Sequence, residues 1–202
     1  CSSPIRYCTD QVIREALQTF CPKEGIRALD VGCGVGYFPL LVAAGVRGNY
    51  LGIDIQARDS WPDTTGMHAG LSVGFLEHDA ELLSTLGPRF NFVMSIQSME
   101  HISDDVRAFQ GMSHCLEPGG FLLMTVPSKM SRVALYPGHG WRGYTRADLR
   151  HLADLARLDL IEIKPLGGLL SFALHFLGWT LPYVGSARVT KAIIGRPFAI
   201  GP

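Results

Sequence analysis

ALDVGCGVG, Ala28 to Gly36, is the most informative stretch of this chain. Ile26–Val31 (IRALDV) is β-like and runs straight into Gly32, Gly34 and Gly36, which fall at every second position. A helix is expected to follow over Tyr37–Ala44. Glycines in such a loop let the backbone turn tightly and approach a ligand, because no Cβ intervenes. The N–H groups that open the next helix face the same space. A G-x-G-x-x-G dinucleotide loop would need glycine at 37, where this chain has Tyr37. The pattern is instead D-x-G-x-G-x-G. Its carboxylate, Asp30, would repel a pyrophosphate and suits a ligand with a positive group, such as an α-amino group or a sulfonium. The alternative is that Asp30 only hydrogen-bonds the N–H groups of its own turn.

Further strands are expected at Tyr50–Ile55 (YLGIDI), Leu71–Leu76, Phe90–Ile96 (FNFVMSI), Phe121–Val126 (FLLMTV, read as fully buried) and Leu158–Lys164. Asp104–Leu116 reads as a helix, with Ser103 as N-cap and Asp104 and Asp105 in its first turn. It is expected to stop at Pro118-Gly119-Gly120. Thr145–Leu155 reads as a helix with a capping box between Thr145 and Asp148. Apolar strands that alternate with helices imply an α/β fold: a Rossmann-like, doubly wound, mostly parallel sheet with helices on both faces.

Composition fits one folded unit. The chain has 202 residues, 47% hydrophobic and only 18% charged, which excludes disorder for most of it. Lys+Arg and Asp+Glu are both 18, so the electrostatic footprint of a nucleic-acid binder is missing and no nucleic-acid partner is expected. Cys1, Cys8, Cys21, Cys33 and Cys115 are odd in number and form no C-x-x-C. No His pair has metal-ligand spacing, so no metal site is expected, and a reducing, cytoplasmic location fits. The start, CSSPIRYC, has neither an initiator Met nor an apolar leader segment.

Two more carboxylates follow the strands. Asp54 ends YLGIDI, 18 residues beyond Gly36, where an acidic residue accepts hydrogen bonds from ribose hydroxyls. Asp79, in LEHDAE, could take an exocyclic amino group of adenine, or simply cap a helix.

With these residues together, the chain resembles the class I S-adenosylmethionine-dependent methyltransferases, and among them the methyltransferase type 11 subgroup. ALDVGCGVG is similar to the family's first motif, and FNFVMSIQSMEHI and LEPGGFLLMTVP to its fourth-strand and fifth-strand motifs. The resemblance implies a seven-stranded sheet with a reversed last strand, in a single methyltransferase domain over 1–202. It implies S-adenosyl-L-methionine as cofactor, S-adenosyl-L-homocysteine as product, and transfer of a methyl group to a small-molecule, apolar or lipid-linked acceptor. The implied cofactor residues are Asp30, Gly32, Cys33, Gly34, Gly36, Asp54, Ile55, Asp79, Ala80, Ile96 and Gln97, with Asp54 on the ribose, Asp79 and Ala80 at the adenine, and Ile96 and Gln97 near the methionine part. A sulfonium methyl is already activated, so the protein mainly aligns the acceptor, and a base is needed only for a weakly acidic one. His101, beside Glu100, and His139, in the loop YPGHGWRGYT with Trp141 and Tyr144, are the candidate bases. His101 could equally order its loop, and the His139 loop could be a plain solvated connection. Two rival readings stand: an NAD-type Rossmann enzyme, disfavoured by Tyr37 and Asp30, and a non-catalytic relative of the same fold.

Pro165 to Ala187 contain no Asp, Glu, Lys or Arg. A transmembrane span is not expected, because glycines and Pro182 interrupt the run and its best helix, Leu169–Leu181, is about 20 Å long against a core of about 30 Å. An apolar helical insertion at about 166–195 is expected instead. It would pack in the core, line an acceptor pocket, make a homodimer contact, or touch a membrane peripherally through 169–181. The end, RPFAIGP, stops where a seventh strand would begin, so the last strand is expected to be missing and the chain to be a fragment.

Overall fold

The computed structural model describes residues 4–21, 23–39, 46–87, 89–129 and 142–166. Helix α1 (Pro4–Phe20) precedes strand β1 (Ile26–Val31), and β2 follows at Gly48–Asp54. A short helix α2 (Trp61–Thr64) leads to β3 (Gly66–His68) and β4 (Leu71–Glu77). Strand β5 (Phe90–Ile96), helix α3 (Asp105–Cys115), β6 (Leu116–Thr125) and α4 (Arg146–Leu155) complete the order. Short 3-10 helices lie at Ala80–Thr85 and Met99–His101.

The six described strands form one sheet in the order β3-β4-β2-β1-β5-β6. Every neighbouring pair is parallel except β3 with β4. β1 lies in the middle, with Asp30 opposite Gly52 on one side and Met94 on the other. Side chains alternate between the faces. Ile26 and Ala28 of β1 and Phe92 and Met94 of β5 pack with Ile13 and Leu17 of α1. Leu29, Val31 and Val93 face the other way, onto Phe109 and Met112 of α3 and Leu152 of α4. Both faces are thus covered, which is why the central strands read as continuous apolar runs.

Several expected details are corrected. The N-cap of α3 is Asp104, whose Oδ1 accepts from Arg107 N at 2.9 Å, and not Ser103. The helix ends at Cys115, and Leu116 enters β6 at once, so Pro118 and Gly119 lie within a strand with an irregular register beside Phe90 and Phe92. Most of β6 is half-buried rather than fully buried, and it is the outermost of the described strands on its side of the sheet. Leu158–Lys164 is not a strand: its backbone joins no ladder, and Leu160 and Ile161 are 44% and 65% exposed. A strand forms only where a neighbour takes its N–H and C=O groups, and no described segment offers them there. The hairpin β3–β4 was not anticipated. Ala69 and Gly70 both have positive φ, 50° and 91°, the primed-turn geometry that Asn-Gly usually signals. Residues 40–44 of the expected helix after the glycine loop, the apolar insertion beyond Leu166 and any seventh strand lie outside the described residues. No helix among the described residues is long and apolar enough to cross a membrane.

Candidate functional site

The carboxyl ends of β1, β2, β4 and β5 meet along one edge of the sheet, where ligands bind in folds of this kind. Gly32, Gly34 and Gly36 all adopt left-handed backbone, with φ of +75°, +54° and +76°. Gly32 N and Cys33 N donate to Ile53 O at 2.8 and 2.9 Å, which hooks the loop onto β2. Gly36 N donates to Cys33 O at 3.0 Å and closes a four-residue turn. At Gly32 a Cβ would lie 2.0 Å from Ser98 Oγ, so a neighbouring side chain requires that glycine. Among the described residues, a Cβ at Gly34 would meet nothing within 4 Å.

The carboxylates sit differently from one another. Asp54 Oδ2 accepts the Gly34 N–H at 2.9 Å, while its Oδ1 lies 3.4 Å from Gln56 N and 3.5 Å from Arg58 Nη2. The residue expected at the ribose therefore already grips the glycine loop. Asp30 is fully buried on the α1 side of the sheet. Tyr50, on the adjacent strand β2 opposite Ala28, donates its hydroxyl to Asp30 Oδ2, and among the described residues Oδ1 has no partner. Burial pushes the Asp30 carboxyl up to about 7, against the Tyr50 hydrogen bond that lowers it. Asp79 caps the Ala80–Thr85 turn, accepting from Glu81 N at 2.9 Å. Ile55 is largely exposed beside Asp54, and Ala80 is half-buried. The Cys33 thiol is buried and its pKa pushed up by burial, which makes it a packing group rather than a nucleophile.

At the end of β5, Ile96 is buried and Gln97 takes positive φ, 52°, with its N–H donated to Thr125 O at 2.9 Å. Glu100 is the residue that sequence reasoning undervalued. Its side chain is 0% exposed and both carboxylate oxygens lack hydrogen-bond partners, while burial raises its pKa to about 7. The signal was present in the Glu100-His101 pair, but which member would be buried could not be read from it. His101 is exposed. His139 lies outside the described residues. Beyond that segment, Arg142 Nη2 donates to Ser103 O at 2.7 Å and Nη1 pairs with Asp105, while the Tyr144 hydroxyl reaches Asp105 at 2.9 Å and Met99 O at 3.3 Å. These contacts tie the chain before α4 to the turn that carries Glu100. Among the described residues no group of His, Cys, Asp and Glu could hold a metal ion.

A family model described as a methyltransferase domain matches residues 5–162. The chain belongs to the methyltransferase domain family. Its sheet is the Rossmann-like one of class I methyltransferases. This methyltransferase domain is 30% identical over 126 residues to the ubiquinone biosynthesis O-methyltransferase of Cereibacter sphaeroides, covering 58% of this chain and 49% of that protein. The protein of the same name from Dinoroseobacter shibae is 30% identical over 185 residues, 80% of this chain and 73% of that protein. The chain spans about half the length of the first of these relatives. Among solved structures, the methyltransferase domain resembles the [4+2]-cyclase SpnF (TM-score 0.63, 22% identity, 86% of this chain and 67% of that one). It also resembles the magnesium protoporphyrin IX methyltransferase of Synechocystis PCC 6803 with bound S-adenosylmethionine (TM-score 0.59, 15% identity, 82% and 76%). Both likenesses concern the fold.

Proposed function

We propose that this chain binds S-adenosylmethionine over Gly32–Gly36 and transfers its methyl group to the hydroxyl of a small, apolar acceptor. The observation that carries this reading is Gly34, where a Cβ would meet none of the described residues within 4 Å, in a left-handed loop whose amide is held by Asp54. The donor set fits the cofactor. Asp54 retains lone pairs for ribose hydroxyls after accepting from Gly34, since each carboxylate oxygen accepts more than one hydrogen bond. Asp30 is fully buried with its pKa raised to about 7 and its Oδ2 on Tyr50, so its role in this reading is to support the end of β1 beneath the loop. Ile55, Asp79 and Ala80 would flank the adenine, and Ile96 and Gln97 the methionine part. The bound cofactor supplies a methyl group on a sulfonium, which needs no activation by the protein.

The chain's own residues then have two tasks. One is alignment, which contributes several kcal/mol when the acceptor is held in line. The other is to take the hydroxyl proton. The relatives' name, O-methyltransferase, supports oxygen as the acceptor atom. His101, exposed beside the buried Glu100 at the end of β5, is the candidate base among the described residues. A cytoplasmic setting is supported by the free thiols of Cys21, Cys33 and Cys115. Isothermal titration with S-adenosylmethionine, S-adenosylhomocysteine and NAD tests the reading. Binding of the first two without NAD is expected, and binding of NAD alone would overturn it. Transfer of labelled methyl to hydroxyl-bearing metabolite and lipid extracts then separates a catalyst from a binding module.

A further inference from the structure

We propose that Trp61 is a positioning residue that locks the central peptide of the glycine turn in one orientation, a role that rests on the cofactor reading above. The turn runs from Cys33 to Gly36 and is closed by Gly36 N on Cys33 O at 3.0 Å. Its central peptide, between Gly34 and Val35, takes no part in that closing bond. In a four-residue turn this peptide can flip, and glycine at 34 removes the steric preference that would stop it. The flip would reverse the direction of the Val35 N–H, because C=O and N–H of one trans peptide point opposite ways.

One side-chain donor opposes the flip directly: the Trp61 indole Nε1–H donates to Gly34 O at 2.9 Å, while Ser60 Oγ donates to Val35 O at 2.8 Å, on the next peptide of the turn. On its other side, Gly34 gives its own N–H to Asp54. Gly34 is therefore held at both ends, by the last side chain of β2 and by one from the segment after it. Trp61 is itself fixed. It is buried, and its ring stacks on Phe75 with centroids 5.2 Å apart at 11°. Phe75 in turn lies against the bare Cα atoms of Gly36 and Gly52, where an added Cβ would come within 2.7 Å of the ring at either position. A tryptophan needed only for packing would not require its N–H to end on the loop carbonyl that sets the turn.

Trp61→Phe keeps a six-membered ring for the stack and removes the N–H together with two ring carbons. Calorimetric titration with S-adenosylhomocysteine should show Kd raised about 5- to 30-fold, the effect of one lost buried hydrogen bond. Amide exchange should quicken across residues 32–38 while β1 and β5 keep their protection. A Kd within twofold of the unsubstituted protein overturns the proposal. So does an affinity loss that only follows loss of protection in β1 and β5, which would make Trp61 a core residue. If Trp61→Phe does not fold, the benzothiophene analogue of tryptophan placed at position 61, which keeps the bicyclic ring and lacks the N–H, carries the test: a raised Kd supports the lock, and an unchanged Kd overturns it. Failure of the unsubstituted protein to bind S-adenosylhomocysteine would instead refute the cofactor reading, and is seen before any variant is made.

Discussion

Asp54 shows how one carboxylate serves both scaffold and ligand. It holds Gly34 N–H in the structure, and the proposed function adds ribose hydroxyls to its partners. Asp54→Ala should weaken S-adenosylhomocysteine by about 1.5–3 kcal/mol, the scale of a lost charge-assisted hydrogen bond, read by calorimetry. Unchanged affinity would remove Asp54 from the site. Asp30 and Glu100 share a different property: burial raises both to about 7 from ordinary carboxyl values of 3.8 and 4.5. The folded state then holds protons that the unfolded chain has already lost. Stability contributed by these groups is therefore full at low pH and falls as pH rises through the window from about 4 to 7. Urea midpoints should drop between pH 5 and pH 8, and Glu100→Gln should shrink that drop. An equal drop in the variant would mean that Glu100 is not buried as a neutral acid.

At the scale of elements, local chemistry places the pieces around the site. Thr145 and Asp148 cap α4 reciprocally, Asp148 N on Thr145 Oγ1 at 3.1 Å and Thr145 N on Asp148 Oδ2 at 2.8 Å. This capping box was legible from two residue types at the right spacing. Thr145→Ala should cost about 1 kcal/mol in chemical denaturation. It should also loosen the neighbouring bridge between Tyr144 and Ser128. Gly32→Ala tests the loop. The added methyl would meet Ser98 Oγ and also force a left-handed conformation on alanine. We expect a loss of at least about 1–2 kcal/mol and a weakened hold on S-adenosylhomocysteine. A variant as stable as the parent would show that Ser98 moves aside freely.

At the scale of the molecule, β5 joins the two halves of the core. Phe92 faces the α1 side and Val93 faces the α3 side, so one strand carries load from both layers. Phe92→Ala should cost about 3–5 kcal/mol, since a fully buried phenylalanine leaves both lost transfer energy and a cavity. A urea midpoint shifted by less than a third of that would mean that the α1 layer collapses into the gap. The same layering explains why Leu158–Lys164 misled. Its alternation is strand-like, but alternation states only which residues prefer burial. Whether a segment becomes a strand depends on a neighbour with open hydrogen bonds, and β6 does not pair with it.

The family and its sheet were readable because their signals are local and steric. D-x-G-x-G-x-G demands a tight turn after a strand, and parallel strands buried on both faces must be apolar throughout. The meeting of Gly32, Gly34, Gly36 and Asp54 at one edge of the sheet was readable from their order along the chain. Partnership was not readable. Tyr50 over Asp30, Trp61 on the Gly34 carbonyl and the unpartnered Glu100 are contacts between side chains distant in sequence or buried without a partner. Sequence spacing says which face of a strand a residue takes. Only the packing of one layer on another settles which polar atom finds a partner, which carboxyl loses its water, and how far its pKa moves.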